Sequence, residues 1–235
     1  NDRCGSTHMD ALAAMVKAGG YDIGIAFDGD ADRCLAVDER GSLIDGDQIM
    51  AACGLDMKAK GRLTKDTVVA TVMSNLGFRL YAKERGMELE CTDVGDRNVL
   101  ERMVEKGYRL GGEQSGHMIF LDHATTGDGQ LTALKILALL KESGKTASEV
   151  FSACPRYPQV LINIPVADND VKKAAMASPL LAQAVAREEE ALSGEGRVLV
   201  RPSGTEALMR VMVEARTQED AQKTAQRLAD LIPTL

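Results

Sequence analysis

Apolar positions along the chain switch repeatedly between a helical period and the short unbroken runs of buried strands. Over 9–17 they recur at helical spacing until Gly19 and Gly20 end the pattern. Two apolar runs follow, Ile23-Gly24-Ile25-Ala26-Phe27 and Cys34-Leu35-Ala36-Val37, and both read as buried strands. A turn region over 41–46 leads to a predicted helix over 47–60 that turns Ile49, Met50, Cys53 and Met57 inward. A β-branched run predicts a strand over 67–73, then a helix over 76–85, a strand over 88–92, a helix over 97–106 and a strand beginning at 108–110. Strands alternating with helices in this way predict a mixed, largely parallel α/β domain. A strongly apolar helix from Asp128 to near Lys141 has the pattern of a core helix.

The pattern changes at Cys154-Pro155-Arg156-Tyr157-Pro158, which reads as a linker. Beyond it a smaller α+β unit is predicted: a strand over 160–165, a helix over 170–193, and strands over 197–200 and 208–214. A final helix opens with Thr217 and Asp220 at capping-box spacing and buries Ala221, Ala225, Leu228 and Ile232 on one face. Arg187-Glu188-Glu189-Glu190 reads as a solvated helix face. The expected division is 1–36, 37–153 and 154–235.

Composition narrows the function. With 235 residues, 45% of them hydrophobic, the chain can bury more than one core. A net charge of −7 argues against nucleic acid or an anionic membrane as the main partner. No apolar run of membrane-spanning length and no signal peptide is present, so a cytoplasmic location is expected. Cys4, Cys34, Cys53, Cys91 and Cys154 are scattered, with no C-x-x-C pair, and read as reduced packing thiols.

Three stretches carry chemistry. Between the first two strands lies Asp28-Gly29-Asp30-Ala31-Asp32-Arg33. Carboxylates that close repel at about 4 kcal/mol per pair at 4 Å and intermediate dielectric, so a cation is needed to offset them. Oxygen donors without nearby Cys or His select Mg²⁺ or Ca²⁺ over zinc. A plain hairpin turn needs one Asp, not three. A calcium loop starting at Asp28 would place Glu39 at its twelfth position, but Arg33 stands where the sixth needs Gly, and strands rather than helices flank the loop. The reading adopted is a Mg²⁺ site of a phosphoryl-transfer enzyme, with Asp28, Asp30 and Asp32 on the metal and Arg33 on the phosphoryl group.

The second stretch, Gly112-Glu113-Gln114-Ser115-Gly116-His117, sets Glu113 and Ser115 to pair with vicinal hydroxyls, with His117 beside them. It misses the G-x-S-x-G elbow by one position. The third, Arg201-Pro202-Ser203-Gly204-Thr205-Glu206, offers a guanidinium, two hydroxyls and amides exposed at Gly204, and Arg210 can add a second guanidinium. Together the loops describe an enzyme that moves a phosphoryl group on a sugar.

On these three motifs the chain resembles the α-D-phosphohexomutase family, most closely its bacterial glucosamine branch. Thr92-Asp93-Val94-Gly95-Asp96-Arg97 and Thr126-Gly127-Asp128-Gly129 also look like family segments, and Gln114 and Val211-Met212-Val213-Glu214 favour that branch over the mannose and glucose mutases. The resemblance implies a Mg²⁺ cofactor, a hexosamine phosphate substrate held by Glu113, Ser115, His117, Arg201, Ser203, Gly204, Thr205 and Arg210, and transfer through a phosphoserine and a bisphosphate. It allows a homodimer of the full-length enzyme. The family has four domains, with its phosphoserine in the first. The chain is therefore expected to hold the end of the second, then the third and fourth, and to be inactive alone. Ala207 departs from the family's usual Pro. A haloacid-dehalogenase-like phosphatase also carries Asp-x-Asp after an apolar strand, but expects Thr or Val where Asp32 sits and leaves the third loop without a role.

Overall fold

The computed structural model describes residues 4–234, and the chain divides into two compact units, Asn1–Pro155 and Arg156–Leu235. The first three residues and Leu235, assigned above to the terminal parts, lie outside the described residues.

In the first unit, helix α1 (Asp10–Gly19) precedes a β1 (Ile23–Phe27), β2 (Cys34–Asp38) hairpin, which β3 (Leu43–Ile44) extends to three antiparallel strands. Helix α2 (Gly46–Ala59) starts at Asp45, whose carboxylate accepts the Gln48 N–H while the Gln48 side chain accepts the Asp45 N–H. Then come β4 (Thr67–Thr71), α3 (Leu76–Glu84), β5 (Glu88–Thr92), α4 (Asp96–Lys106), β6 (Leu110–Gly112) and β7 (Met118–Phe120). They form a sheet in the order β5-β4-β6-β7, parallel except for the final pair. Strand β4 shows why its sequence is uninterrupted in apolar character. Val68 and Ala70 face the main core with Phe78, Ile49 and Met50, and Val69 faces a second cluster with Val99, Met103 and Ile119.

Helix α5 (Gly129–Ser143) is capped by Asp128, which accepts the Leu131 N–H at 2.9 Å, and α6 (Ala147–Phe151) follows. The pattern of α5 predicts a core helix, yet Leu134 is 65% exposed and only one face, with Thr132, Ala133 and Ile136, is buried. The hairpin that the sequence sets apart as 1–36 belongs to this same unit. The carboxylate of Glu39, just past β2, accepts both the N–H (3.0 Å) and the hydroxyl of Ser148 in α6.

The second unit is an antiparallel sheet in the order β8-β10-β9, built from β8 (Gln159–Pro165), β9 (Arg197–Pro202) and β10 (Leu208–Glu214). Met209, Val211 and Val213 alternate onto the face covered by α9 (Gln218–Leu231). Thr217 caps α9, and Ala221, Ala225, Leu228 and Ile232 are buried as its period requires. The single helix predicted over 170–193 is two, α7 (Asn169–Ala177) and α8 (Pro179–Ala191). Pro179 has no N–H to continue the ladder and forces Ser178 into an extended conformation, so one helix ends and the next begins there.

Among the described residues, no helix is long and apolar enough to cross a membrane. No cysteine among the described residues is in a disulfide. Burial raises the thiols of Cys34 and Cys53 to about 12 and lifts Cys154 as well, which keeps them protonated packing groups.

Truncation of a fully buried Leu leaves a cavity that the surrounding side chains only partly fill. Leu228→Ala is therefore expected to destabilise the second unit by about 2–5 kcal/mol. Denaturant unfolding followed at β10 amides checks this, and a change under 1 kcal/mol would contradict the packing described.

Candidate functional site

Residues 28–33 close the β1–β2 hairpin, whose last pair is Phe27 with Cys34. Ala31 takes a left-handed conformation (φ 59°), and its carbonyl accepts the Gly129 N–H at 2.9 Å. The loop is thereby fixed from outside, and Asp28, Asp30 and Asp32 each bring one carboxylate oxygen within 4.8 Å of the others. Burial raises the Asp32 carboxyl above its ordinary range, and a hydrogen bond with Asp28 adds to this. The His117 ring opposes the rise, while the charges of Asp28 and Asp30 reinforce it. An all-oxygen set under mutual repulsion suits a hard divalent cation. Arg33 donates its backbone N–H to Asp28 Oδ1 at 3.1 Å, and its Nε lies 3.8 Å from Asp28 Oδ2. Among the described residues its terminal guanidinium nitrogens make no hydrogen bond, which leaves them for an anion. The calcium-loop alternative fails on Glu39, both of whose carboxylate oxygens are taken by Ser148.

The second loop is the turn between β6 and β7, closed by the Glu113 N–H to the His117 carbonyl and the Gly116 N–H to the Glu113 carbonyl, both 3.0 Å. Its carbonyl at Gly116 accepts the Cys34 N–H at 3.0 Å, so the turn is laced to the hairpin of the acidic loop. Gly116 has φ +95°, and a Cβ there would lie 2.5 Å from the Cys34 carbonyl oxygen, so only glycine permits this approach.

His117 is 3% exposed, and its ring points away from solvent. Nε2 accepts the Gly127 N–H at 3.1 Å, so the proton sits on Nδ1, which donates to Asp32 Oδ2 at 3.0 Å. The sequence suggests a sugar contact for His117. The structure instead shows a support for the acidic loop, because both ring nitrogens are already engaged within the protein.

Gln114 is likewise occupied: its amide donates to Asp47 Oδ2 at 3.1 Å, an atom that also accepts the Asn75 N–H at 2.7 Å. Glu113 Oε1 accepts the Gly95 N–H at 3.1 Å, and exposed Ser115 lies 3.5 Å from Glu113 Oε2. The 92–97 segment thus acts by holding Glu113. Of the second loop's polar residues, Ser115 is exposed, Glu113 and Gln114 are half-buried and His117 is buried.

In the second unit, residues 203–207 connect β9 to β10. Arg201 and Arg210 are direct cross-strand partners. Burial lowers the affinity of Arg201 for its proton, and the neighbouring Arg210 acts in the same sense. Like charges directly opposed on a sheet are unfavourable, and Arg210 is relieved by Glu206 at 2.5 Å. Ser203 is buried. Its hydroxyl accepts the Glu206 N–H at 3.2 Å, and its own N–H donates to the Leu208 carbonyl at 2.8 Å. Gly204 and Thr205 are exposed, and their amides donate to no acceptor among the described residues. Ala207 keeps the turn in place without a proline, since its carbonyl accepts the Val166 N–H at 3.0 Å. Sequence reasoning missed Lys172. It lies on the buried side of α7, where helical periodicity gives no sign that a lysine serves a loop.

Three family models of phosphoglucomutase/phosphomannomutase match in order: alpha/beta/alpha domain II over 3–41, alpha/beta/alpha domain III over 45–157, and the C-terminal domain over 161–231. The chain belongs to this family. Two curated relatives are similar to it across nearly its whole length. They are the phosphoglucosamine mutases of Thermoanaerobacter sp. (strain X514), 54% identical over 99% of this chain and 52% of the relative, and of Streptomyces coelicolor, 56% identical over 99% and 51%. The chain spans about half the length of these relatives. A solved structure of Aspergillus fumigatus N-acetylphosphoglucosamine mutase in complex with GlcNAc-6P and magnesium shares the fold. Its TM-score is 0.77 at 23% identity, covering 98% of this chain and 52% of that one. The phosphohexomutase resemblance drawn from the three motifs is borne out. The second-domain model reaches the β1–β2 hairpin, and the third-domain model takes in the loop that supports it.

Loss of a group that orients a metal ligand costs roughly ten- to hundredfold in metal affinity. His117→Ala is expected to weaken Mg²⁺ binding by that factor with all three aspartates intact, as measured by calorimetry. Because protons compete with the cation for these carboxylates, wild-type affinity should rise with pH across the carboxylate range and continue above it, where the raised Asp32 titrates. Equal affinity in the variant would remove the supporting role of the imidazole.

Proposed function

We propose that the chain supplies the metal, sugar and phosphate-binding parts of a phosphoglucosamine mutase, an intramolecular phosphotransferase that interconverts glucosamine 6-phosphate and glucosamine 1-phosphate. The observation that carries this reading is the identity of more than half of the aligned residues with curated phosphoglucosamine mutases over essentially the whole chain, with all three loops in place. A domain boundary near 154 goes with this reading.

Mg²⁺ is the proposed cation for Asp28, Asp30 and Asp32. When bound, it supplies neutralisation of charge on the transferring phosphoryl group. Arg33 extends its free guanidinium nitrogens to the same group. Glu113, held by Gly95, and Ser115 accept and donate to adjacent ring hydroxyls, an arrangement that tolerates the sugar in either orientation. Arg201, Arg210 and the amides of Gly204 and Thr205 hold the phosphate that is not reacting, and Ser203 shapes that loop. The phosphoserine and bisphosphate of the family mechanism complete the cycle. A mannose or glucose mutase of the same family is the second reading, disfavoured by Gln114 and by the relatives' names.

Titration of glucosamine 6-phosphate, followed by NMR, tests the assignment. Removing one charged donor or acceptor should cost about 1.5–3 kcal/mol, so Arg201→Ala and Glu113→Ala should each weaken binding roughly ten- to hundredfold. Mannose 6-phosphate bound as tightly as glucosamine 6-phosphate would transfer the assignment to the second reading. Unchanged affinity in both variants would end it.

A further inference from the structure

The phosphate loop rests on a buried lysine that neither its motif nor its helix pattern reveals. Lys172, in the first part of α7, is 7% exposed. Its Nζ donates to the carbonyl of Ser203 at 2.9 Å and to the carbonyl of Glu206 at 2.6 Å, the two ends of the exposed turn. Asp168 fixes the start of α7 by accepting the N–H groups of Asp170 and Val171, both at 2.9 Å, and so sets the rotation that points Lys172 inward.

We propose that Lys172 is a positioning residue for phosphate recognition: by taking up the Ser203 carbonyl on the inner side of the turn it presents the Gly204 amide, which shares that peptide unit, outward to a dianion, and by taking up the Glu206 carbonyl it fixes the other end of the turn that carries Thr205. This rests on the reading of 201–206 as a phosphate site. Two features set it apart from simple packing. In a trans peptide unit the carbonyl and the amide point to opposite sides, so holding the Ser203 carbonyl inward orients the Gly204 amide outward. Lys172 also brings a third cation to a loop already flanked by Arg201 and Arg210, with Glu206 the acidic partner of the group. A structure gains nothing from such a concentration of like charge unless an anion joins it.

The test is a titration of inorganic phosphate into the chain, read at the amide signals of Gly204 and Thr205 in wild type, Lys172→Met, Lys172→Arg and Arg201→Ala. The expected result is saturable shifts in wild type, roughly tenfold weaker binding in Lys172→Met, the weight of one charge-assisted hydrogen bond, and recovery in Lys172→Arg. Signals of β8 should stay unchanged in both lysine variants. Phosphate binding that Arg201→Ala abolishes and Lys172→Met leaves intact overturns the role of Lys172 while preserving the phosphate site. A wild type whose loop amides do not respond overturns the phosphate site and the lysine's role with it. Should Lys172→Met fail to fold, the ammonium signal of Lys172 in wild type decides. Protection from solvent exchange and a shift on adding phosphate support the proposal, and exchange as free as that of exposed Lys173 refutes it.

Discussion

The imidazole of His117 adds a side-chain link between two turns already joined through their backbones. With its Nε2 accepting from Gly127 and its Nδ1 donating to Asp32, one ring defines the position of an acidic side chain from a different strand pair. Gly127 has to be glycine for this to occur, since a Cβ there would lie 2.4 Å from the ring. Backbone contacts hold the remainder of the first unit's site beside it. Asp32 is held, the hairpin loop is fastened at Ala31 by the Gly129 N–H, and the second loop is fastened at Gly116 by the Cys34 N–H.

The effect is that rigidity comes from backbone contacts and polarity is left for ligands. Gln114 is spent on Asp47, and the Gly95 N–H is spent on holding Glu113, so residues that look like ligands in sequence act as supports in the fold. A group within hydrogen-bond reach of a substrate works only when its own orientation is fixed by a neighbour. In the second loop two of the four polar side chains perform that fixing.

Much of this was legible in the sequence. Strand β5 and the apolar faces of α2 and α9 follow from periodicity alone, because burial on one side imposes a repeat that survives any particular packing. The three loops were legible because their composition is costly without ligands. Four features were not. The short strand β7 has three residues, too few to show a period. The break at Pro179 was hidden by the helical pattern on both sides of it. Lys172 drew no notice within the helix over 170–193, since a pattern of charges cannot tell a solvated lysine from one that enters the protein to meet carbonyls. The inward turn of His117 was beyond reach for a related reason: its partners, Asp32 and Gly127, are set by tertiary contacts and not by spacing.

The two units show the same physical logic with opposite signs. In one, three carboxylates converge where the nearest basic group, Arg33, engages only Asp28 and keeps its terminal nitrogens free. In the other, two cross-strand arginines meet with a lysine beneath the loop and a single glutamate beside them. Other charges are paired in the ordinary way, among them Arg227 with Glu188 and Lys60 with Asp56. Folding alone would favour pairing everywhere, because unpaired like charges at close range raise the free energy of the compact state. Concentrations of one sign at glycine-bearing turns, each held in place by buried polar contacts from a neighbouring element, are therefore states completed by binding. By charge alone, a cation suits the first and an anion the second.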